Sequence, residues 1–220
     1  MTRSGRRRRR QHLTVAALAI LAGAALVVGA LGIAESMRSG DAPGGPVDMR
    51  GEPVELDPSV TPIPASASRA VATGHGRLEV PSVDLDVPLG ALDAVDGVIT
   101  PPGFTSAYVV RNLGVPLSRN SSGTTFVVMH SLRGGGVAPG NALVDVASGS
   151  ARVRAGDPVH VDGTTFTVSS SRLVARDRIA ADTDVWADTP GRLVLITCLL
   201  TADGSPSSHN LVVTADRRGP

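Results

Sequence analysis

The 220-residue chain has no lysine, one cysteine and very few aromatic side chains. Its aromatic residues are Phe104, Tyr108, Phe126, Phe166 and Trp186. The single cysteine, Cys198, excludes a scaffold of intramolecular disulfides. Scattered histidines without ligand spacing and the lack of a dense carboxylate cluster lead us to predict no metal and no cofactor. Small aliphatic residues supply most of the 42% hydrophobic content, which excludes wholesale disorder.

The net charge of +1 is divided unevenly along the chain. Arg3 and Arg6–Arg10 carry six positive charges before the first acidic residue, Glu35. Beyond Ala34, 15 arginines stand against 20 acidic residues, which leaves a net charge of −5. A mildly acidic body lacks the basic surface that binds nucleic acid, so we predict no nucleic-acid partner.

Residues 1–12 form an arginine-rich tail, and residues 13–34 are free of charge. A helix of these 22 residues measures roughly 33 Å, which is enough to cross a bilayer core. The arginines before it predict a single-pass membrane anchor with a cytoplasmic N-terminus and an extracellular body. Two other interpretations stay open: a signal peptide cleaved after Gly32-Ile33-Ala34, and a twin-arginine signal. All three predict export.

Residues 35–76 contain six prolines among Gly, Ser and Ala, without a sustained period of 2 or 3.6 residues. Such a segment buries too little apolar surface to offset its ordering entropy. We therefore predict an extended linker here.

Residues 77–220 show the pattern of an all-β domain, with short β-rich runs between turn signals. The expected strands cover residues 78–80, 83–87, 124–129, 159–161, 164–168, 172–174, 193–197 and 211–214. Asp162-Gly163 predicts a tight hairpin turn. Short helices are expected near 141–146 and 180–186, and the number of short strands favours a barrel or a sandwich.

Two residues with catalytic chemistry each follow an apolar strand. Cys198 follows the run LVLIT, and His130 follows TTFVVM. Each has a purely structural interpretation, since free cysteines are often buried and a histidine after a strand is commonly structural. A lone cysteine in an exported protein has no disulfide partner, however, and strand ends can bring a thiol and an imidazole to one rim of a barrel.

These motifs resemble those of sortases. Leu195-Ile196-Thr197-Cys198 is similar to the TLxTC signature, with Val194 in place of its first threonine. TTFVVMHS resembles the sortase strand that ends in the catalytic histidine, with Met129 in place of the usual glycine. The segment from Arg77 through Pro102 resembles the opening of class E and F sortases of actinobacteria. The resemblance extends over roughly residues 77–215.

The resemblance implies a cysteine transpeptidase on a closed eight-stranded β-barrel with short helices, preceded by the transmembrane helix. Its expected partners are proteins with an LPXTG-like sorting signal and a peptidoglycan or pilin amine. Cys198 would be the nucleophile and His130 the acid and base. Sortases also have an arginine early in the last strand, where this sequence has Asn210 or, by another spacing, Ser208. Arg133 and His209 are the nearest basic candidates to replace it.

Three other functions stay open from the sequence. A sortase-like domain without the arginine could bind sorting signals and turn them over poorly. An L,D-transpeptidase or another cell-wall thiol peptidase would need a different order or spacing of His and Cys. A β-domain without catalytic activity, located in the cell envelope, would make Cys198 an inert core residue.

Overall fold

The computed structural model describes residues 45–55, 63–200 and 207–217. The chain divides into two units, Met1–Gly45 and Pro46–Pro220, and every strand and helix of the described residues belongs to the second. Among the described residues, no helix is both long enough and apolar enough to cross a membrane. The predicted anchor, residues 13–34, lies outside the described residues.

Ten strands and one short α-helix are found in the described part of the chain. The strands are β1 (Arg77–Val80), β2 (Leu85–Leu92), β3 (Ala107–Gly114), β4 (Thr124–Val128), β5 (Val144–Asp145), β6 (Ser150–Ala151), β7 (Pro158–Val161), β8 (Thr164–Ala175), β9 (Arg192–Cys198) and β10 (His209–Arg217). The helix α1 is Thr183–Trp186, and 3₁₀ turns cover Pro81–Val83, Leu117–Ser122, Pro139–Leu143 and Ile179–Ala181.

Eight of the described strands form a closed barrel in the order β1-β2-β3-β4-β9-β10-β8-β7. The pairs β2–β3 and β4–β9 are parallel, and the other pairs are antiparallel. Closure leaves no unpaired sheet edge, which removes a route to aggregation. The predicted closed eight-stranded barrel with short helices is confirmed, and β5 and β6 form a separate two-stranded sheet.

Local sequence explains most of these strands. β7 and β8 are joined by Asp162-Gly163, whose φ values of 45° and 75° are the left-handed conformations that a two-residue hairpin turn needs. β4 is buried throughout, as its continuous apolar run predicts. The sequence pattern does not predict β3. Its first four residues are all buried and the next four are half-buried or exposed, so no single pattern extends over the strand.

Two apolar clusters lie on opposite faces of the strands. The first contains residues from all eight barrel strands, including Leu78, Phe166 and Leu195, and fills the interior. The second lies on the outer face of the barrel, over β3, β4, β9 and β10, and is covered by Val185 and Trp186 of α1. Alternation along each strand assigns successive residues to these two faces.

Parts of the predicted linker pack against the barrel. Val71 pairs with Ala91 of β2, and Arg69 forms an ion pair with Asp93. Near the start of the described chain, the Asp48 carboxylate accepts a hydrogen bond of 2.9 Å from the amide of Val137. These described residues of the predicted linker thus have side-chain and backbone partners on the barrel. Composition alone does not reveal such partners.

Candidate active site

His130 lies two residues beyond the end of β4 and is half-buried. Its Nε2 atom is 2.8 Å from the carbonyl oxygen of Pro101, and its ring centroid is 4.6 Å from that of Phe104. A carbonyl oxygen only accepts hydrogen bonds, so Nε2 carries the hydrogen and donates it. In the neutral ring, Nδ1 is then the nitrogen that can take up a proton.

Cys198 is the last residue of β9, which runs parallel to β4. The register pairs Val128 with Ile196, and Met129 continues it by donating a 3.1 Å hydrogen bond to the carbonyl of Ile196. If the register continues by one more residue on each chain segment, His130 is level with Cys198. By alternation, both side chains lie on the face that carries Val128 and Ile196, outside the barrel. No hydrogen bond among the described residues joins the His130 ring to Sγ, and catalytic contacts commonly shorten only when substrate binds.

A hydroxyl contact links the two chain segments beside these residues. Oγ of Ser131 and Oγ1 of Thr197 share a hydrogen bond of 2.7 Å. The amide of Gly140 donates to the carbonyl of His130 at 2.8 Å. A Cβ atom at Gly140 would collide with both hydroxyls and would approach that carbonyl oxygen to 2.7 Å. The loop after β4 is therefore held against β9 by a contact that needs glycine.

Asn210 of β10 lies directly opposite Cys198 of β9 on one side and opposite Val174 of β8 on the other. Leu199 donates a 3.0 Å hydrogen bond to the carbonyl of His209. That adjacent pair is hydrogen-bonded, so the Cys198–Asn210 pair is the non-hydrogen-bonded type, in which side chains on one face approach closely. The Asn210 amide makes no hydrogen bond to another described residue.

Of the other predicted site residues, Ser208 and Arg133 are exposed. Oγ of Ser208 forms a 2.8 Å hydrogen bond with Nδ1 of His209. Ser208 lies two positions before Asn210, so Asn210 is the residue level with Cys198. Arg133 lies in the loop that follows His130. The assignment of roles to these residues stays a prediction.

The structure brings one further cation to this region, Arg176, which the sequence pattern does not single out. Arg176 directly follows β8, and its charge opposes the burial that raises the pKa of the Cys198 thiol. The sequence does predict a strand that ends near Arg176, because the run Arg172-Leu173-Val174 has a strand pattern. The pairing of β8 with β10 cannot be read from that run.

Burial dominates the titration of both reactive groups. It raises the pKa of the Cys198 thiol, against the opposing effect of Arg176. It also lowers the pKa of His130, against the opposing hydrogen bond to Pro101. Both shifts favour the neutral forms, a thiol beside an imidazole. Within the described residues, no three His, Cys, Asp or Glu side chains converge as metal ligands.

The fold has counterparts among solved structures. No family model and no curated protein matches the chain. Sortase A from Listeria monocytogenes is 18% identical over 68% of this chain and 89% of its own, with a TM-score of 0.49. A lid mutant of sortase A from Corynebacterium diphtheriae is 18% identical over 66% and 69%, with a TM-score of 0.47. Sortase C-1 from Streptococcus pneumoniae is 18% identical over 66% and 67%, with a TM-score of 0.46. Solved sortases are thus among the structures that this chain is similar to, at the level of the fold.

Proposed function

We propose that the chain is a sortase-like cysteine transpeptidase that cleaves an LPXTG-like sorting signal between its threonine and glycine. The observation that carries the proposal is the alignment of His130 and Cys198 at the ends of adjacent parallel strands, on one face. A thiol and an imidazole so placed are the pair that nucleophilic acyl transfer requires. The sequence resemblance supplies the substrate class.

The reaction follows from the groups at this site. Sγ of Cys198 attacks the threonine carbonyl carbon while Nδ1 of His130 takes the thiol proton. The tetrahedral intermediate collapses, the C–N bond breaks, and the imidazolium gives its proton to the departing glycine amine. A second amine, from peptidoglycan or a pilin, then attacks the thioester and regenerates the thiol. In this proposal the N–H groups of Asn210 donate to the oxyanion.

The proposal includes the location of the enzyme. Residues 13–34 form the single membrane-spanning helix, with the N-terminus in the cytoplasm and the barrel outside the cell. This topology puts the active site where sorting signals and cell-wall amines meet. Protease treatment of intact cells checks it, since the body of the chain should be degraded while the N-terminal tail is protected.

Intact mass spectrometry tests the chemistry directly. The full chain, purified in detergent because of its apolar segment, is incubated with a peptide that contains Leu-Pro-Ala-Thr-Gly. We expect an adduct with the mass of the Leu-Pro-Ala-Thr acyl group, absent from Cys198→Ala and released by an added amine. No adduct on a chain whose Cys198 still reacts with iodoacetamide would contradict the proposal.

One observation favours a second candidate, a domain that binds sorting signals and turns them over slowly. Asn210 stands where sortases have an arginine, and a neutral amide lacks the two-pronged, charge-assisted contact of a guanidinium. Peptide binding at wild-type affinity by Cys198→Ala, with no adduct on the wild type over hours, would favour this candidate.

A further inference from the structure

Four neighbouring strands present polar side chains near one end of the barrel. In spatial order they are β4, β9, β10 and β8, which lead to His130, Cys198, Asn210 and Arg176. The only one of these four side chains with a permanent positive charge is that of Arg176. It lies one strand beyond the position where the resemblance to sortases places an arginine.

The register fixes where Arg176 begins. His209 of β10 pairs with Ala175 of β8, and the amide of Arg176 donates a 2.9 Å hydrogen bond to the carbonyl of Ser208. The β8–β10 ladder therefore continues through Arg176. By alternation its side chain leaves the strand on the same face as Val174, the residue opposite Asn210. Arg176 lies two residues beyond Val174, so its backbone is two inter-strand spacings across and about 7 Å along the strand from that of Cys198, about 12 Å in all, and a long Arg side chain can bridge much of that gap.

The guanidinium of Arg176 has one hydrogen-bond partner among the described residues. Its contact within the described residues is a 3.4 Å hydrogen bond from Nη1 to the carbonyl of Ser207, and no described carboxylate pairs with it. This differs from Arg172 on the same strand, whose guanidinium is held by both oxygens of Asp182. The charge nevertheless acts on Cys198, where it opposes the effect of burial on the thiol.

We propose that Arg176 is the catalytic cation of this site and stabilises negative charge on Sγ of Cys198 and on the carbonyl oxygen of the scissile bond. The role at the thiol stands on the geometry of this chain, and the role at the carbonyl rests on the proposed sortase function. Arg176 thus replaces, from β8, the charge that Asn210 does not supply from β10.

Thiol reactivity tests the first role without any peptide substrate. The rate of alkylation by iodoacetamide is measured against pH on the full chain for wild type, Arg176→Met, Arg176→Lys and Arg178→Met. Arg178 is the matched control, because it is exposed and its side chain makes no hydrogen bond or ion pair with the described residues. His130, which follows β4, and His209 of β10 are titratable described residues near Cys198, and both are unchanged in all four proteins.

We expect Arg176→Met to raise the apparent pKa of the Cys198 thiol and to slow alkylation at neutral pH severalfold. Arg176→Lys should stay near wild type, and Arg178→Met should match it. Equal melting temperatures show that the variants are folded. Identical alkylation profiles for Arg176→Met and Arg178→Met would overturn the role of Arg176 at the thiol.

Acylation by the Leu-Pro-Ala-Thr-Gly peptide tests the second role. We expect Arg176→Met to slow thioester formation by about tenfold or more, since loss of an oxyanion donor typically costs about 10²–10³ when the donor is fully enclosed. Asn210→Arg in the Arg176→Met background should recover part of the loss. Equal acylation rates for Arg176→Met and Arg178→Met overturn the role at the carbonyl. If the wild type forms no thioester, the proposed function fails, and the alkylation profiles still decide the role at the thiol.

Discussion

Replacing Gly140 by alanine tests whether the contact between the His130 loop and β9 sets the geometry of the site. The new Cβ would overlap the hydroxyls of Ser131 and Thr197 and would lie 2.7 Å from the carbonyl oxygen of His130. Cβ atoms essentially never come closer than 3.0 Å to such neighbours. The loop must therefore move away from β9, and His130 moves with it.

The size of the effect follows from the required movement. Relief of the overlap needs a displacement of roughly 0.5–1 Å, and a misplacement of about 1 Å can cost a hundredfold in rate. We expect the acylation rate to fall by about tenfold to a hundredfold. Overpacking typically costs about 1–3 kcal/mol, so the barrel should stay folded with a lower melting temperature.

The assay compares acylation and melting temperature for Gly140→Ala and a control in the same loop, Gly136→Ala. At Gly136 a Cβ would lie 3.1 Å from the Cβ of Leu132, a side chain that can yield by a few tenths of an ångström. The control should therefore lose little activity. Equal acylation rates in the two variants would refute the reasoning, because the contact at Gly140 would then not position His130.

Three further predictions concern titration and local order. Because burial raises the pKa of the Cys198 thiol, its alkylation rate should reach half its maximum above pH 9.0, the ordinary value, and a plateau at neutral pH would contradict this. The Val137 amide should exchange its hydrogen faster in Asp48→Ala, as mass spectrometry would detect, because Asp48 accepts its hydrogen bond; unchanged exchange would count against that contact. The Arg172 guanidinium holds the pKa of Asp182 at about 2, so this carboxylate stabilises the fold above its unfolded pKa and loses the effect as pH falls toward 2. Melting temperatures from pH 5 to 2 should accordingly fall less steeply for Asp182→Asn than for wild type, and parallel curves would oppose the assignment.

Most of the barrel can be predicted from local pattern. The continuous apolar run of β4 and the alternation of β8 around the Asp162-Gly163 turn are visible in sequence because burial and turn geometry constrain nearby residues. β3 escapes such prediction because residues 111–114 lie at the surface and do not alternate between apolar and polar side chains. The contacts of residues 45–55 and 63–76 with the barrel escape it because Asp48 and Arg69 find partners distant in sequence.

The candidate site shows the same division between local and distant information. His130 and Cys198 each stand at the end of an apolar run, which is local information. The sequence offers two positions for the missing arginine, Asn210 and Ser208, because counting back from the end of a strand does not fix its register. The β9–β10 pairing selects Asn210 as the residue opposite Cys198. Arg176 depends on the pairing of β8 with β10, which no local pattern encodes.

The adjacent ends of β4, β9, β10 and β8 give a physical reason why the positive charge of the proposed site can come from a different strand while Cys198 and His130 keep their positions. Residues at equal level on neighbouring strands are separated by about 4.8 Å, so a long side chain on the second strand reaches the region that a shorter one occupies on the first. Arg176 lies near enough for this, since only β10 separates its strand from that of Cys198 and it stands two residues beyond Val174, the residue level with Asn210. An arginine absent at position 210 therefore does not by itself imply a site without a cation.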